Sequence, residues 1–78
     1  MTTVYALSSL VKNYIYVGQT NHLEKRFKQH NEGWETTTRP YRPFKIIYTE
    51  QFPDRTSARI KEKYLKSGIG KEFLKSLE

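Results

Sequence analysis

Three strand-like segments, with a helix interposed before the third, leave few folds open to this chain. Thr3 to Leu7 and Tyr14 to Gly18 are rich in β-branched and aromatic residues, and Ser8, Ser9, Lys12 and Asn13 punctuate the gap between them, so a β-hairpin with a longer loop is expected. The next segment, Thr20-Asn21-His22-Leu23-Glu24, opens a helix in which Thr20 or Asn21 would cap the first turn and Glu24 would reach back to it. That helix should run to about residue 31 and stop at Gly33. From Trp34 to Pro43, two prolines and three consecutive threonines break any period, which predicts a loop or a short turn. The third strand, Phe44 to Phe52, lies between Pro43 and Pro53. A second helix would follow, capped by Asp54 or Thr56, ending near Lys66 with Gly68 as its stop, before a short last helix from Lys71 to Leu77. The order β-β-α-β-α-α excludes a parallel doubly wound sheet and predicts an α+β fold, a three-stranded antiparallel sheet flanked by helices. At 78 residues the chain holds one domain, residues 1–78, with a modest core.

That core has no covalent help, because there is no cysteine. A zero count fits a reducing compartment without proving it. The N-terminus shows no basic region, apolar run or cleavage site of a signal peptide, and no apolar stretch approaches the roughly 20 residues that cross a bilayer. A cytoplasmic protein with no membrane partner is therefore expected, as a monomer or weak homodimer. Fourteen Lys and Arg against eight Asp and Glu give a formal charge of +6, which favours polyanionic partners, nucleic acid first. Lysines that merely solubilise a small surface would give the same balance.

Polar residues placed where a core is due are more specific. On the first helix Leu23, Phe27 and His30 share one face, with Arg26 beside them, while Glu24, Lys25, Lys28 and Gln29 form the opposite, solvated side. Arg26 and His30 are either site residues or a structural pair at the core edge. On the second helix Ala58, Glu62 and Leu65 form a stripe that carries a carboxylate inward. A carboxylate so placed needs a metal, an Arg or a Lys, and a plain salt bridge is the simplest answer. Six tyrosines are many for this length. Alternation puts Tyr14, Tyr16 and Gly18 on one face of the second strand, so Tyr5 and Tyr16 could face each other across the hairpin, as packing or as chemistry.

Taken in order, Thr3-Val4-Tyr5, ten intervening residues, Tyr16-Val17-Gly18, then Arg26 and His30 on a helix and Glu62 on the next, resemble the GIY-YIG nuclease family over nearly the whole chain. Thr3 replaces the first glycine, and Val4 and Val17 are mild swaps. The segment Glu62 to Gly68 looks like the end of small stand-alone members, which resemble the N-terminal nuclease domain of the bacterial excinuclease of DNA repair. That protein's other domains are not expected within these 78 residues, so a role in excision repair is not carried over.

The resemblance implies phosphodiester hydrolysis with one divalent ion, Mg²⁺ or Mn²⁺, held by Glu62 and bound weakly without substrate. Arg26 would neutralise charge on the scissile phosphate. Tyr5 would be the general base or relay its proton to His30, Tyr16 would orient water or phosphate, and Gly18 would allow close approach. A DNA endonuclease selecting structure rather than a long sequence is the leading expectation, with RNA not excluded. Its rival is a nucleic-acid-binding module that has kept the fold and lost turnover. Gln19 stands where several members carry a lysine, which predicts weaker phosphate stabilisation. Arg39, Arg42 and Lys45 flank the proline-rich loop and either grip a nucleic-acid backbone or are simply solvated. Asn31 either caps the helix end or touches the site, with capping favoured, and Trp34 either covers the core or stacks on a base, with the core favoured.

Overall fold

A computed structural model describes all 78 residues. Its order is β1 (Thr2–Ser9), β2 (Ile15–Thr20), α1 (Leu23–Glu32), a single 3₁₀ turn (Arg39–Tyr41), β3 (Phe44–Phe52), α2 (Arg55–Lys66) and α3 (Gly68–Lys75). The strands form one antiparallel sheet in the order β2-β1-β3, so the α+β, β-β-α-β-α-α architecture is observed. No helix is long and apolar enough to cross a membrane.

The central position of β1 explains why all eight of its residues are buried. Because side chains alternate across a strand, Val4 and Ala6 point to one face, where they meet Val17 and the Ala58, Leu65 and Leu74 side chains of α2 and α3. Tyr5 and Leu7 point to the other, against Phe44 and the flanking Tyr16, Leu23, Phe27 and Tyr41. The sheet is thus covered on both faces. Between Ala6 and Leu7 the β1–β3 register slips, leaving Ile47 as the extra residue of a bulge.

Local chemistry departs from the sequence expectations at several ends. Helix α1 begins without a side-chain cap, because Thr20 Oγ1 accepts from the His22 amide and Asn21 Oδ1 accepts from the Thr2 hydroxyl, which spends both candidate caps on the incoming strand. Its C-terminus is as expected, with Gly33 in the left-handed region at φ 82°. Asp54 caps α2 by accepting from the Ser57 amide at 2.7 Å, and that bond holds its carboxyl below the usual range. Gly68 does not stop α2. Ser67 ends it and caps α3 by accepting from the Gly70 amide, so Gly68 is already the first residue of α3. Asn31 caps nothing: its Oδ1 accepts from the Phe44 amide at 2.7 Å and ties α1 to the start of β3. Trp34 is 67% exposed rather than in the core, with its indole N–H donated to Glu32.

Candidate functional site

Tyr5 and Tyr16 do not sit directly opposite one another. The register pairs Tyr5 with Gly18 and Leu7 with Tyr16, so the two rings are diagonal neighbours on the same face, their centroids 6.1 Å apart. Gly18 is what lets them meet. A Cβ there would lie 2.8 Å from Tyr5 Oη and 3.0 Å from Tyr16 Cε2, so any larger residue would push a tyrosine away.

Helix α1 crosses this face and lowers His30 onto the pair. The His30 side chain is completely buried, with Nε2 3.1 Å from Tyr5 Oη and Nδ1 3.0 Å from Thr38 Oγ1, and the Tyr16 ring centroid lies 4.8 Å from its own. Both ring nitrogens are therefore engaged. Burial pushes the Tyr5 phenol well above its ordinary value near 10, and the nearby Arg26 guanidinium does not reverse that. Burial, then the Arg26 charge, pushes His30 below 6.5, with Glu35 offsetting a part. At neutral pH the free protein therefore holds a neutral phenol against a neutral imidazole.

Arg26, one turn before His30, is a third exposed and forms an ion pair with Glu35 and a hydrogen bond to Gln29 Oε1 at 3.2 Å. Burial opposes its charge, but the Glu35 carboxylate and the neighbouring Tyr5 phenol outweigh burial and hold the guanidinium charged. Neither Glu35 nor Thr38 stands out in the sequence. Both lie in an aperiodic segment, and Thr38 is one of three successive threonines, of which only it is buried.

The opposite parity of β2 builds the second half of the site. Val17 and Gln19 face α2, and there Gln19 Nε2 donates to Glu62 Oε1 at 3.1 Å while Lys66 Nζ lies 2.8 Å from Glu62 Oε2. Glu62 is 17% exposed and opens on a groove of about 380 Å³ that Tyr16, Gly18, Gln19, Arg59, Lys63 and Lys66 also line. Tyr16 thus belongs to both halves. It packs on His30 and lines the Glu62 groove, joining Tyr5, Arg26 and His30 on one face of the sheet to Glu62 on the other.

A divalent ion prefers oxygen ligands, and the groove offers two kinds. One is the Glu62 carboxylate. The other is Gln19 Oε1, a buried oxygen with no hydrogen-bond partner beside it. Both Glu62 oxygens are engaged, Oε1 by the Gln19 amide and Oε2 by Lys66, so a cation at this carboxylate would displace Lys66 and would gain the orphaned Gln19 Oε1 only if that amide turned over.

Arg39, Arg42 and Lys45 do not line this groove. The Arg39 Nε–H donates to the Gly33 carbonyl at 2.8 Å, and Arg42 Nη1 fills the space that a Gly33 Cβ would take, so both arginines pack around the α1 terminus. Lys45 is exposed on β3.

The His30 environment makes stability depend on pH. Its pKa is depressed in the folded state, so below pH 6.5 the unfolded chain takes up a proton that the folded chain refuses, and stability falls. Above 6.5 the effect vanishes. Urea unfolding at pH 7.5 and 5.5 should show wild type losing stability at up to about 1.4 kcal/mol per pH unit below 6.5, with a smaller loss in His30→Gln. Equal losses in the two proteins would refute a neutral buried His30.

Residues 1–73 match the family described as the GIY-YIG catalytic domain. The chain is 40% identical over 67 residues to a UPF0213 protein of Clostridium perfringens, a match covering 85% of this chain and 71% of that one. It is 40% identical over 55 residues to the UPF0213 protein YazA of Bacillus subtilis, covering 69% of this chain and 56% of YazA. Of that relative, as of the Bacillus licheniformis protein at 55%, the chain spans little more than half the length. The solution NMR structure of a UPF0213 protein from Bacillus halodurans superposes with a TM-score of 0.57 at 33% identity, covering 100% of this chain and 86% of that chain.

Proposed function

The chain belongs to the GIY-YIG family, a nuclease superfamily, and from that premise we propose that it is a divalent-metal-dependent endonuclease acting on DNA. The observation that carries this reading is the meeting of a buried Tyr5–His30 hydrogen bond, the Tyr16 ring and the Glu62 carboxylate around the side-chain-free Gly18. Structural packing alone gives little reason to keep a phenol, an imidazole and a carboxylate at one spot.

In this reading Glu62, once Lys66 is displaced, and Gln19 Oε1, once its amide turns over, would hold Mg²⁺ or Mn²⁺, which when bound supplies Lewis-acid stabilisation of the phosphate. Arg26 leaves Glu35 for a phosphate oxygen and neutralises the charge that builds there, its planar fork serving either partner. The attacking water loses its proton to Tyr5 Oη as the phenol proton passes to His30 Nε2. A new P–O bond forms to the water oxygen and the P–O bond to the departing deoxyribose oxygen breaks, that oxygen taking a proton from solvent. Relay matters because burial disfavours the free phenolate. His30 Nε2 can receive that proton because its two N–H groups then donate to Tyr5 and Thr38; burial and the Arg26 charge oppose the imidazolium and Glu35 offsets only a part, so the charge on His30 is transient and passes on to solvent.

The test is cleavage of labelled nicked, branched, single-stranded and plain duplex DNA with Mg²⁺ or Mn²⁺ by wild type and Tyr5→Phe. Phe retains the ring and removes the proton relay, so cutting should fall by about 100-fold or more while DNA binding holds. Wild type that binds these DNAs and cuts none would leave the fold as a nucleic-acid-binding module. Cutting by Tyr5→Phe at the wild-type rate would remove Tyr5 from the chemistry.

A further inference from the structure

The Glu62 groove does not end at the site. It continues along the outer edge of β2 through two more hollows, each sharing walls with the one before. Tyr16 and Lys66 belong both to the Glu62 groove and to a hollow of about 310 Å³. Tyr14, Ile15 and Lys71 join that hollow to a last one of about 190 Å³ reaching Lys75. One wall is the free edge of the sheet, since β2 is an outer strand. The other is built by α2 and α3, whose spacing sets five cations in a row: Arg59, Lys63 and Lys66 at i, i+4 and i+7, then Lys71 and Lys75 one turn apart.

The charge of this wall is one-sided. Glu62 is the sole carboxylate among the residues lining the three hollows. Lys66 is paired with it, while Arg59, Lys63, Lys71 and Lys75 are exposed and form no ion pair. Tyr14, stacked on Tyr41 at 3.9 Å, and Tyr16, packed on His30, leave part of their aromatic surface along the opposite wall, and cations facing aromatic surface are the combination that holds a single strand through its phosphates and base faces. The arginines of the proline-rich loop, by contrast, are folded around Gly33.

We infer that this channel along β2, walled by Arg59, Lys63, Lys66, Lys71 and Lys75, is the track for the DNA strand that runs from the Glu62 site toward α3. The inference rests on the nucleic-acid reading above and names the surface that carries it. Lys71 and Lys75 make the cleanest probe, being exposed, distant in sequence from the catalytic groups and absent from every ion pair.

The experiment is fluorescence anisotropy of a labelled single-stranded DNA oligonucleotide in EDTA, where nothing is cut, over a range of salt. Lys71→Gln/Lys75→Gln is compared with Lys25→Gln/Lys28→Gln, which removes the same charge from the exposed side of α1. The α3 pair should weaken binding by about tenfold or more at low salt and flatten the slope of log Kd against log salt by roughly 1.4, two contacts at ~0.7 each. The α1 pair should stay within about twofold of wild type. Equal weakening by both pairs would mean diffuse charge attraction, and wild-type binding by the α3 pair would mean the strand lies elsewhere; either overturns the track. A wild-type protein that binds in this pattern yet cuts no DNA with Mg²⁺ or Mn²⁺ overturns the nuclease reading alone.

Discussion

Glu62→Gln is expected to cut DNA at least about a thousandfold more slowly than wild type with either Mg²⁺ or Mn²⁺, while binding DNA as tightly or more tightly in EDTA. The substitution keeps the size of the side chain and removes the one negative charge that lines the groove. If that charge holds the ion, its loss forfeits several kcal/mol of transition-state stabilisation, and each 1.36 kcal/mol is tenfold in rate. DNA binding moves the other way because Lys66, now tied to Glu62 at 2.8 Å, is released into a groove already rich in cations. The competing account makes Glu62 one half of a salt bridge and nothing more. Lys66 is about half exposed and the pair lies one helical turn apart, so it contributes about 0.5 kcal/mol to stability, and its loss should hardly shift the melting temperature. Single-turnover cleavage, anisotropy and thermal melting on the same preparation separate the two. Cutting within about tenfold of wild type would end the assignment of Glu62 as the ion's ligand.

The largest effect on stability belongs to Gly70→Ala. In an open helix Ala is better than Gly by about 1 kcal/mol, so the naive expectation is a gain. Gly70, however, is buried where α3 turns back on α2, and a Cβ there would overlap the Tyr64 carbonyl oxygen and lie 2.6 Å from Leu65 Cα. Those are backbone atoms in the last turns of α2, and they cannot swing aside as the end of a side chain would. Relief requires α3 to lift, and α3 carries Leu74, a fully buried member of the core cluster with Ala58 and Leu65. A cost of about 3 kcal/mol or more is expected, enough to lower the melting temperature of so small a domain by more than ~12 °C. Gly68→Ala is the control. Nothing lies within 4 Å of a Cβ at Gly68, so that variant should be neutral or gain up to about 1 kcal/mol. Melting curves by circular dichroism decide it, and a Gly70→Ala protein as stable as wild type would mean that α2 and α3 pack loosely enough to admit a methyl group between them.

Three glycines, Gly33, Gly68 and Gly70, separate what is locally determined from what depends on packing. Gly33 was legible as a helix stop because a left-handed residue after a periodic segment is a local event, and it does sit at φ 82°. Gly68 had the same local signature and a different part to play, because Ser67 serves both helix ends and the tight position, Gly70, is defined only by contact with another element. Asn21, Asn31 and Trp34 erred for the same reason. Each has a plausible local use, yet Asn21 bonds Thr2, Asn31 bonds the Phe44 amide, and the Trp34 indole stays in solvent.

By itself the sequence determined the order and kind of elements, the face that Tyr16 and Gly18 share, and the inward placement of His30 and Glu62, because periods of 2.0 and 3.6 are written in neighbouring residues. It could not determine which strand lies centrally, that Thr38 and Glu35 would complete His30 and Arg26, or that the two halves of the site would meet around Gly18. Nor could it show that cations spread over two helices line up on one groove. Those facts depend on register and on how elements cross. They are fixed by the simultaneous fit of side chains from distant segments, which no single window of sequence contains.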